Sequence, residues 1–351
     1  MREQRRNRLL LAAWLTLSLA TFDGRAGEVT VAAGGDVLLV EAPPPQCRGA
    51  VAEALAVLRG ADLALANLEV SLASASLPPA AASGGLWLRA DPGVAEWLAG
   101  SEIDLLSLAN NHAGDFGASG LEETRARLEE VGIAPVGAGT DASCARSATV
   151  ISVGGLSVAV IAAACTPPDD AMRARDPEPG VAARGGIAAI GTRRVVTLSA
   201  AKFGILAAIL REAGLPLATS GTHLDLGGLV VRRGILPGSS LEFDPADIAH
   251  LRQAVVAAAA TSDVVLASLH CAEPEPGARS APAALRELAH GLVESGADAV
   301  LVHGPHMVRG AEWIGDHAVA VYGLGSLALQ HRRVTEQPRE AFERWLADAE
   351  P

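Results

Sequence analysis

Short apolar runs that break off in a polar residue recur along the chain. EVTVAAGGDV (Glu28–Val37) reaches Asp36, ADLALANLE (Ala61–Glu69) ends in Asn67 and Glu69, and IDLLSLANNH (Ile103–His112) ends in Asn110, Asn111 and His112. SDVVLASLH (Ser262–His270) stops at His270, and ADAVLVHGPH (Ala297–His306) passes through His303 to His306. Unbroken apolar runs of this length predict strands covered on both faces, because a strand with one wet face would alternate.

Helical patterns lie between the runs. Leu121, Thr124, Leu128 and Val131 fall on one helical face, and Ser119 with Glu122 predicts a capping box at its start. Ala283–Glu294 reads as a second helix that stops before Gly296. Alternation of strands and helices predicts an α/β fold whose polar strand ends gather at one edge. Ligands of such sheets bind outside the carboxyl ends of the strands, so the five clusters should converge on one site.

Buried strand ends that carry Asp, Glu, Asn and several His form a donor set for a divalent metal of intermediate softness, such as Mn, Fe or Zn. One or two ions held there could activate water and stabilise a leaving group. Any one cluster has a plainer reading: Asn67 as a turn cap, His270 as a hydrogen-bonded core histidine. Five at five strand ends favour a metal site.

The chain has 351 residues, half of them apolar, enough for a full core and of a length that suits two small domains or one large α/β domain. Its net charge is −12. Residues 1–26 carry Arg2, Arg5, Arg6 and Arg8 ahead of the apolar run Leu9–Phe22, then the small residues Gly24 and Ala26. That order predicts a signal peptide cleaved near Ala26, or the same segment kept as an N-terminal anchor, with 27–351 as the exported domain. Removing it takes five arginines, Glu3 and Asp23 and leaves −15. A chain so acidic, with no basic tract, is not a nucleic-acid binder. It also lacks the glycine-rich loop of a phosphate or nucleotide binder. The four cysteines (Cys47, Cys144, Cys165, Cys271) match no zinc spacing and leave three disulfide pairings open; Cys271, next to His270, reads as a small residue packed at a strand end, with a thiolate ligand as the alternative.

GGDVLL, ALANLEVSL, SLANNHAGDFGASGLEET, VGAGTDASCAR, SLHCAE and GADAVLVHGPHMVRGAEW, in this order between Val29 and Leu329, resemble the CapA family of poly-γ-glutamate capsule biosynthesis proteins. The resemblance implies a layered α/β/β/α sandwich of the calcineurin-like metallophosphoesterase kind, in a single large domain. It also implies roles. Asp36 corresponds to the acidic ligand of the first block, Glu69 to the metal-bridging acid and Asn111 to the amide ligand. His270, His303 and His306 correspond to the later ligand blocks, and His112 to the general acid, with Asp115 fixing its tautomer. The function implied is that of an exported hydrolase with one or two divalent ions, acting on a phosphoester or a polymer-linked amide. Its partners would be an anionic polymer and membrane-bound capsule synthesis proteins. The alternative is a non-catalytic envelope protein that keeps the fold and aids polymer assembly or export. Arg184, Arg193, Arg194 and Arg309 are candidate contacts for an anionic polymer, which a chain of this charge would otherwise repel.

Overall fold

A computed structural model of the chain describes residues 18–24, 27–43, 48–81, 86–165, 170–214, 222–227, 229–272, 279–330, 337 and 339, with 18–28, 48–52 and 54 in backbone only. Two six-stranded sheets form its centre. In the first, Ser18–Gly24, Gly27–Leu38, Leu63–Leu68, Leu105–Ser107 and Ala134–Val136 lie side by side, and Ser326–Leu329 returns from the far end of the chain to pair with Gly27–Leu38. In the second the order is Ala311–Ile314, Ala318–Val321, Ala299–His303, Val264–His270, Leu156–Ala164 and Thr149–Val153. The polar strand ends therefore belong to two sheets rather than to the edge of one.

The apolar runs explain the layering. Leu63–Leu68, Val264–His270 and Ala299–His303 are buried along their whole length. Alternate residues of the second sheet (Val158, Val160, Val264, Leu266, Ala299, Leu301, Val319, Val321) share one apolar cluster with strands of the first sheet. The intervening residues (Ala159, Ile161, Val265, Ala267, Val300, Val302) pack against Leu251 and Val255 of helix Pro245–Thr261 and Leu285, Leu288 and Leu292 of helix Ala283–Glu294. On the outer side of the first sheet, helices Arg48–Arg59, Gly93–Ala99 and Gly117–Glu130 contribute Leu55, Leu58, Val94, Leu98, Leu121 and Leu128. The result is the expected helix–sheet–sheet–helix sandwich. Each fully buried Leu or Val adds about 1.5–3 kcal/mol of transfer free energy, which is why these runs carry few polar residues, small ones such as Ser268, before their ends.

The local signals hold only in part. Ala283–Glu294 forms the helix expected of it. The capping box does not form: the helix runs Gly117–Glu130, so Ser119 lies inside its first turn, Phe116 is the N-cap without a side-chain cap, and Glu122 bonds Arg125 (2.7 Å). Asp115, the carboxylate nearest the helix start, instead accepts from Leu88 N (2.7 Å) and contacts His112. By contrast, Asp244 caps helix Pro245–Thr261 through Ala246 N and Asp247 N, with proline in the first turn.

A smaller four-stranded sheet lies between Leu156–Ala164 and Val264–His270 in sequence, in the order His223–Asp225, Leu229–Arg233, Thr192–Leu198, Gly238–Phe243. Helix Ala200–Glu212 accompanies it, and Phe203, Ala207, Leu224 and Val231 give it a core of its own. The strand-end pattern does not announce this unit. Cys144, Cys165 and Cys271 are thiols rather than halves of disulfides, Cys271 buried in the apolar cluster beneath the second sheet, whereas Cys47 lies outside the described residues. Arg184 donates to Asp170 O and Arg173 O, so its guanidinium ties the chain to itself. Among the described residues no helix is long and apolar enough to cross a membrane.

Candidate metal centre

The strand ends meet because their registers align. Asp36 is paired with Asn67 in the first sheet and His270 with His303 in the second. A bulge between Ala33 and Asp36 turns the first strand at its polar end. Glycine is required beside it: a Cβ on Gly35 would sit 2.1 Å from Gly325 O, in the loop whose carbonyl accepts from Asp36 N (3.0 Å).

Asp36 is fully buried and contacts three elements. Its Oδ1 accepts from Asn67 Nδ2 (2.8 Å), and its Oδ2 accepts from Gly304 N (3.1 Å) and faces His306 Nδ1 (3.0 Å). His270 Nδ1 and His303 Nδ1 lie 3.8 and 3.7 Å from Oδ1. Burial alone would raise the Asp36 pKa; the His306 hydrogen bond and the surrounding imidazoles hold it down, to about 2. Glu69 shifts the other way. Burial and the charges of Asp36 and Asp115 push it well above the usual carboxylate range.

Three asparagines organise the histidines. Asn110 Nδ2 donates to Leu68 O (2.7 Å) and Asn67 Oδ1 (3.2 Å), while Asn110 Oδ1 accepts from His112 N (3.0 Å). With its oxygen so engaged, Asn67 turns its Nδ2 toward both Asp36 and His270 Nδ1 (3.2 Å). With Nδ1 accepting, Nε2 would donate to Asn111 Oδ1 (2.6 Å) in the metal-free arrangement, a proton that a cation bound through Nε2 would displace. Burial lowers the His270 pKa to about 3 and that of His303 as well, so both rings are neutral and able to act as ligands.

The six expected ligands lie close together: Asp36, Glu69, His270 and His303 are buried, Asn111 is half-buried against His270, and His306 is exposed at the rim. His270 Nε2 and His306 Nε2 lie 3.6 and 3.8 Å from Glu69 Oε1. Ligand atoms of Asp36, Glu69 and His270 lie within 4.8 Å of one another. Ligands at about 2.0–2.2 Å from a shared ion can stand no more than about 4.4 Å apart, so a small inward movement would close this triad on a cation. A second observation supports the fit. Glu69 Oε2 and both ring nitrogens of His303 are buried with no hydrogen-bond partner, at a cost of about 1–3 kcal/mol for each orphaned group. A cation would relieve it.

His112 and Asp115 adjoin this cluster. His112 Nδ1 is 2.9 Å from Asp115 Oδ2. Asn67 and Asn110 were visible in sequence as strand-end residues but not as the pair that orients Asp36 and His270. Their register opposite other polar ends was the available signal.

Residues 30–331 match the family described as Bacterial capsule synthesis protein PGA_cap. The chain belongs to this family. Its fold is metallophosphoesterase-like, as the sequence resemblance implied. The chain is 29% identical over 303 residues to protein y4uA of Sinorhizobium fredii, covering 85% of this chain and 65% of that relative, so it spans about two thirds of the relative's length. It is 35% identical over 138 residues to a Mycobacterium tuberculosis protein named "Probable polyglutamine synthesis accessory protein", covering 37% of this chain and 35% of the other. A hypothetical protein from Thermus thermophilus of known crystal structure aligns with 91% of this chain and 85% of its own at a TM-score of 0.42 and 16% identity.

Proposed function

We propose that this capsule synthesis protein is an exported, metal-dependent hydrolase that cleaves a phosphoester or an amide linked to an anionic polymer. The observation that carries the reading is the buried triad Asp36, Glu69 and His270 beside the orphaned nitrogens of His303 and Oε2 of Glu69. Asp36, Glu69, Asn111, His270, His303 and His306 would hold one or two divalent ions, Mn, Fe or Zn. Such an ion supplies electrophilic polarisation of a phosphoryl or acyl oxygen.

The chain's own residues do the remainder. Asn67 holds the Asp36 carboxylate and fixes the His270 ring. Asp115, itself anchored by Leu88 N, takes the Nδ1 side of His112 and leaves Nε2 to carry the proton given to the leaving group. The basic, then apolar segment ahead of Ala26 supports the export part of this reading. Cleavage there would remove strand Ser18–Gly24, whose partners are Gly27–Ala33, and would spare the pairing of Asp36 with Asn67 and Ser326.

The test is elemental analysis of the purified protein, followed by a panel of phosphoesters and γ-glutamyl amides assayed with Mn, Fe or Zn added. Bound metal and turnover together support the reading. Metal without turnover, or neither, would replace it with a non-catalytic role in polymer assembly or export.

A further inference from the structure

The small sheet exposes two large apolar residues where none is needed for its own stability. Ile235 is 95% and Leu236 83% exposed, in the loop that crosses from Leu229–Arg233 over the end of Thr192–Leu198 to Gly238–Phe243. Gly234 N donates to Leu198 O (2.9 Å), so the base of this loop is fastened while its tip stands in solvent. Isolated exposed aliphatics are ordinary, but adjacent ones at near-complete exposure mark a contact surface.

Charge identifies the kind of surface. Between Thr192 and Phe243 the chain carries Arg193, Arg194, Lys202, Arg211, Arg232 and Arg233 against Glu212, Asp225 and Glu242, an excess of three positive charges in a chain of net −12. Arg233 directly precedes the loop, and Lys202, the sole lysine, lies in the first turn of helix Ala200–Glu212, which starts just after Leu198. Both are exposed. Asp225 is at the other end of the sheet, since His223 rather than Asp225 pairs with Arg232. Arg232 is ion-paired with Glu242 and is not counted on.

We propose that this unit docks on the surface of an anionic lipid bilayer, with Ile235 and Leu236 entering the headgroup–acyl boundary and Lys202 and Arg233 meeting lipid phosphates. An apolar tip flanked by basic residues, here Arg233 and Lys202, is the pattern of an interfacial anchor. A soluble polyanion would satisfy the charges but offers no apolar phase to the tip. The docking is independent of any activity at the metal centre.

The test must report on the tip itself, because the basic, apolar segment before Ala26 could bind vesicles on its own. Leu236→Cys is made in full-length protein carrying Cys47→Ser and Cys144→Ser, which leaves the buried Cys165 and Cys271 unreactive, and is labelled with an environment-sensitive fluorophore. Vesicles of phosphatidylcholine with about one third phosphatidylglycerol should shift its emission to the blue, and spin labels on the acyl chains should quench it. A label at exposed Val256 (Val256→Cys in the same background) should respond to neither. Lys202→Glu with Arg233→Glu should weaken the tip response at least about ten-fold in lipid concentration, since each basic residue near an anionic surface contributes about a five-fold effect. A tip label unchanged by vesicles, or one that responds to soluble polyglutamate and not to vesicles, overturns the proposal. Equal responses at positions 236 and 256 overturn it too, because they would reflect nonspecific adsorption.

Discussion

Asn111 and His270 are 159 residues apart in sequence, yet Asn111 Oδ1 and His270 Nε2 are separated by 2.6 Å. The contact joins the polar ends of the two sheets and places an amide oxygen and an imidazole nitrogen at the same point beside Glu69. If both are ligands, removing either should empty the centre, whereas removing the neighbouring proton carrier should not. Asn111→Ala and His270→Ala are therefore expected to lose bound metal, and His112→Ala to retain it. Metal-to-protein ratios after dialysis, measured by mass spectrometry, check this directly; equal metal loss in all three variants would refute the division of roles.

Asn67 touches no solvent and bonds Asp36, His270 and Asn110. Replacing it with leucine leaves Asp36 Oδ1 and Asn110 Nδ2 each short of a partner inside the protein. The expected cost is about 1–3 kcal/mol for each group so orphaned, together with about 10- to 100-fold weaker metal binding through loss of ligand orientation. Denaturant titration and metal titration of Asn67→Leu measure the two effects separately. Unchanged metal affinity would assign Asn67 a purely structural role.

Much of this was legible in the sequence, and the reason is physical. Strands buried on both faces are mostly apolar, so an ionisable side chain that demands a partner stands out at or near their ends, as at Asp36 and His270. That rule nominated Asp36, Asn67, Glu69, Asn110, Asn111, His270, His303 and His306 as candidates. It could not show that the strands divide between two sheets, because an unbroken apolar run looks the same whichever layer covers it. Nor could it find the unit around Thr192–Leu198, whose strands are partly exposed and carry arginines. The capping box failed for a different reason. The segment Asn110–Asp115 is folded by contacts with Leu68 and Leu88, distant in sequence, and these set the start of the helix instead of Ser119.

Gly35 offers a sharper test of how the site is positioned. Any side chain there collides with backbone at Gly325, and neither segment can yield without moving Asp36 or unpairing Ser326–Leu329. Gly35→Ala is expected to destabilise the protein by about 3 kcal/mol or more, at the upper end for a single methyl group. Chemical denaturation measures the loss. A variant of native stability would show that the strand Ser326–Leu329 is dispensable.

Glu312 links helix Ala283–Glu294 to the edge of the second sheet: Tyr322 donates to it (2.6 Å), His290 contacts it (2.9 Å), and Arg286 lies 3.5 Å away. The Tyr322 hydrogen bond, then that of His290, lowers the Glu312 pKa in the folded protein. A carboxylate whose folded pKa is depressed stabilises above its unfolded value of 4.5 and loses that contribution as pH falls through the folded value. The side chain is about one third exposed, so solvent screening keeps the effect small. Glu312→Gln should lower Tm by about 1–2 °C near pH 6, and the gap should close below about pH 4. A gap that widens on acidification would contradict the assignment.

His112 and Asp115 are the residues through which turnover, as distinct from metal content, should be lost. Asp115 is fully buried and holds the Nδ1 side of His112, so its removal changes which ring nitrogen carries the proton without removing the ring. On a substrate that the unmodified protein cleaves, His112→Ala is expected to lower kcat about 10²- to 10⁴-fold, the usual contribution of a general acid. Asp115→Asn should lower kcat by a smaller factor and change the pH profile, because an amide cannot hold the imidazole as a carboxylate does. Leaving groups that need no protonation, such as nitrophenolate, should narrow the deficit in both variants. If His112→Ala reduces the cleavage of activated and unactivated substrates alike, its role is to bind substrate and not to donate a proton.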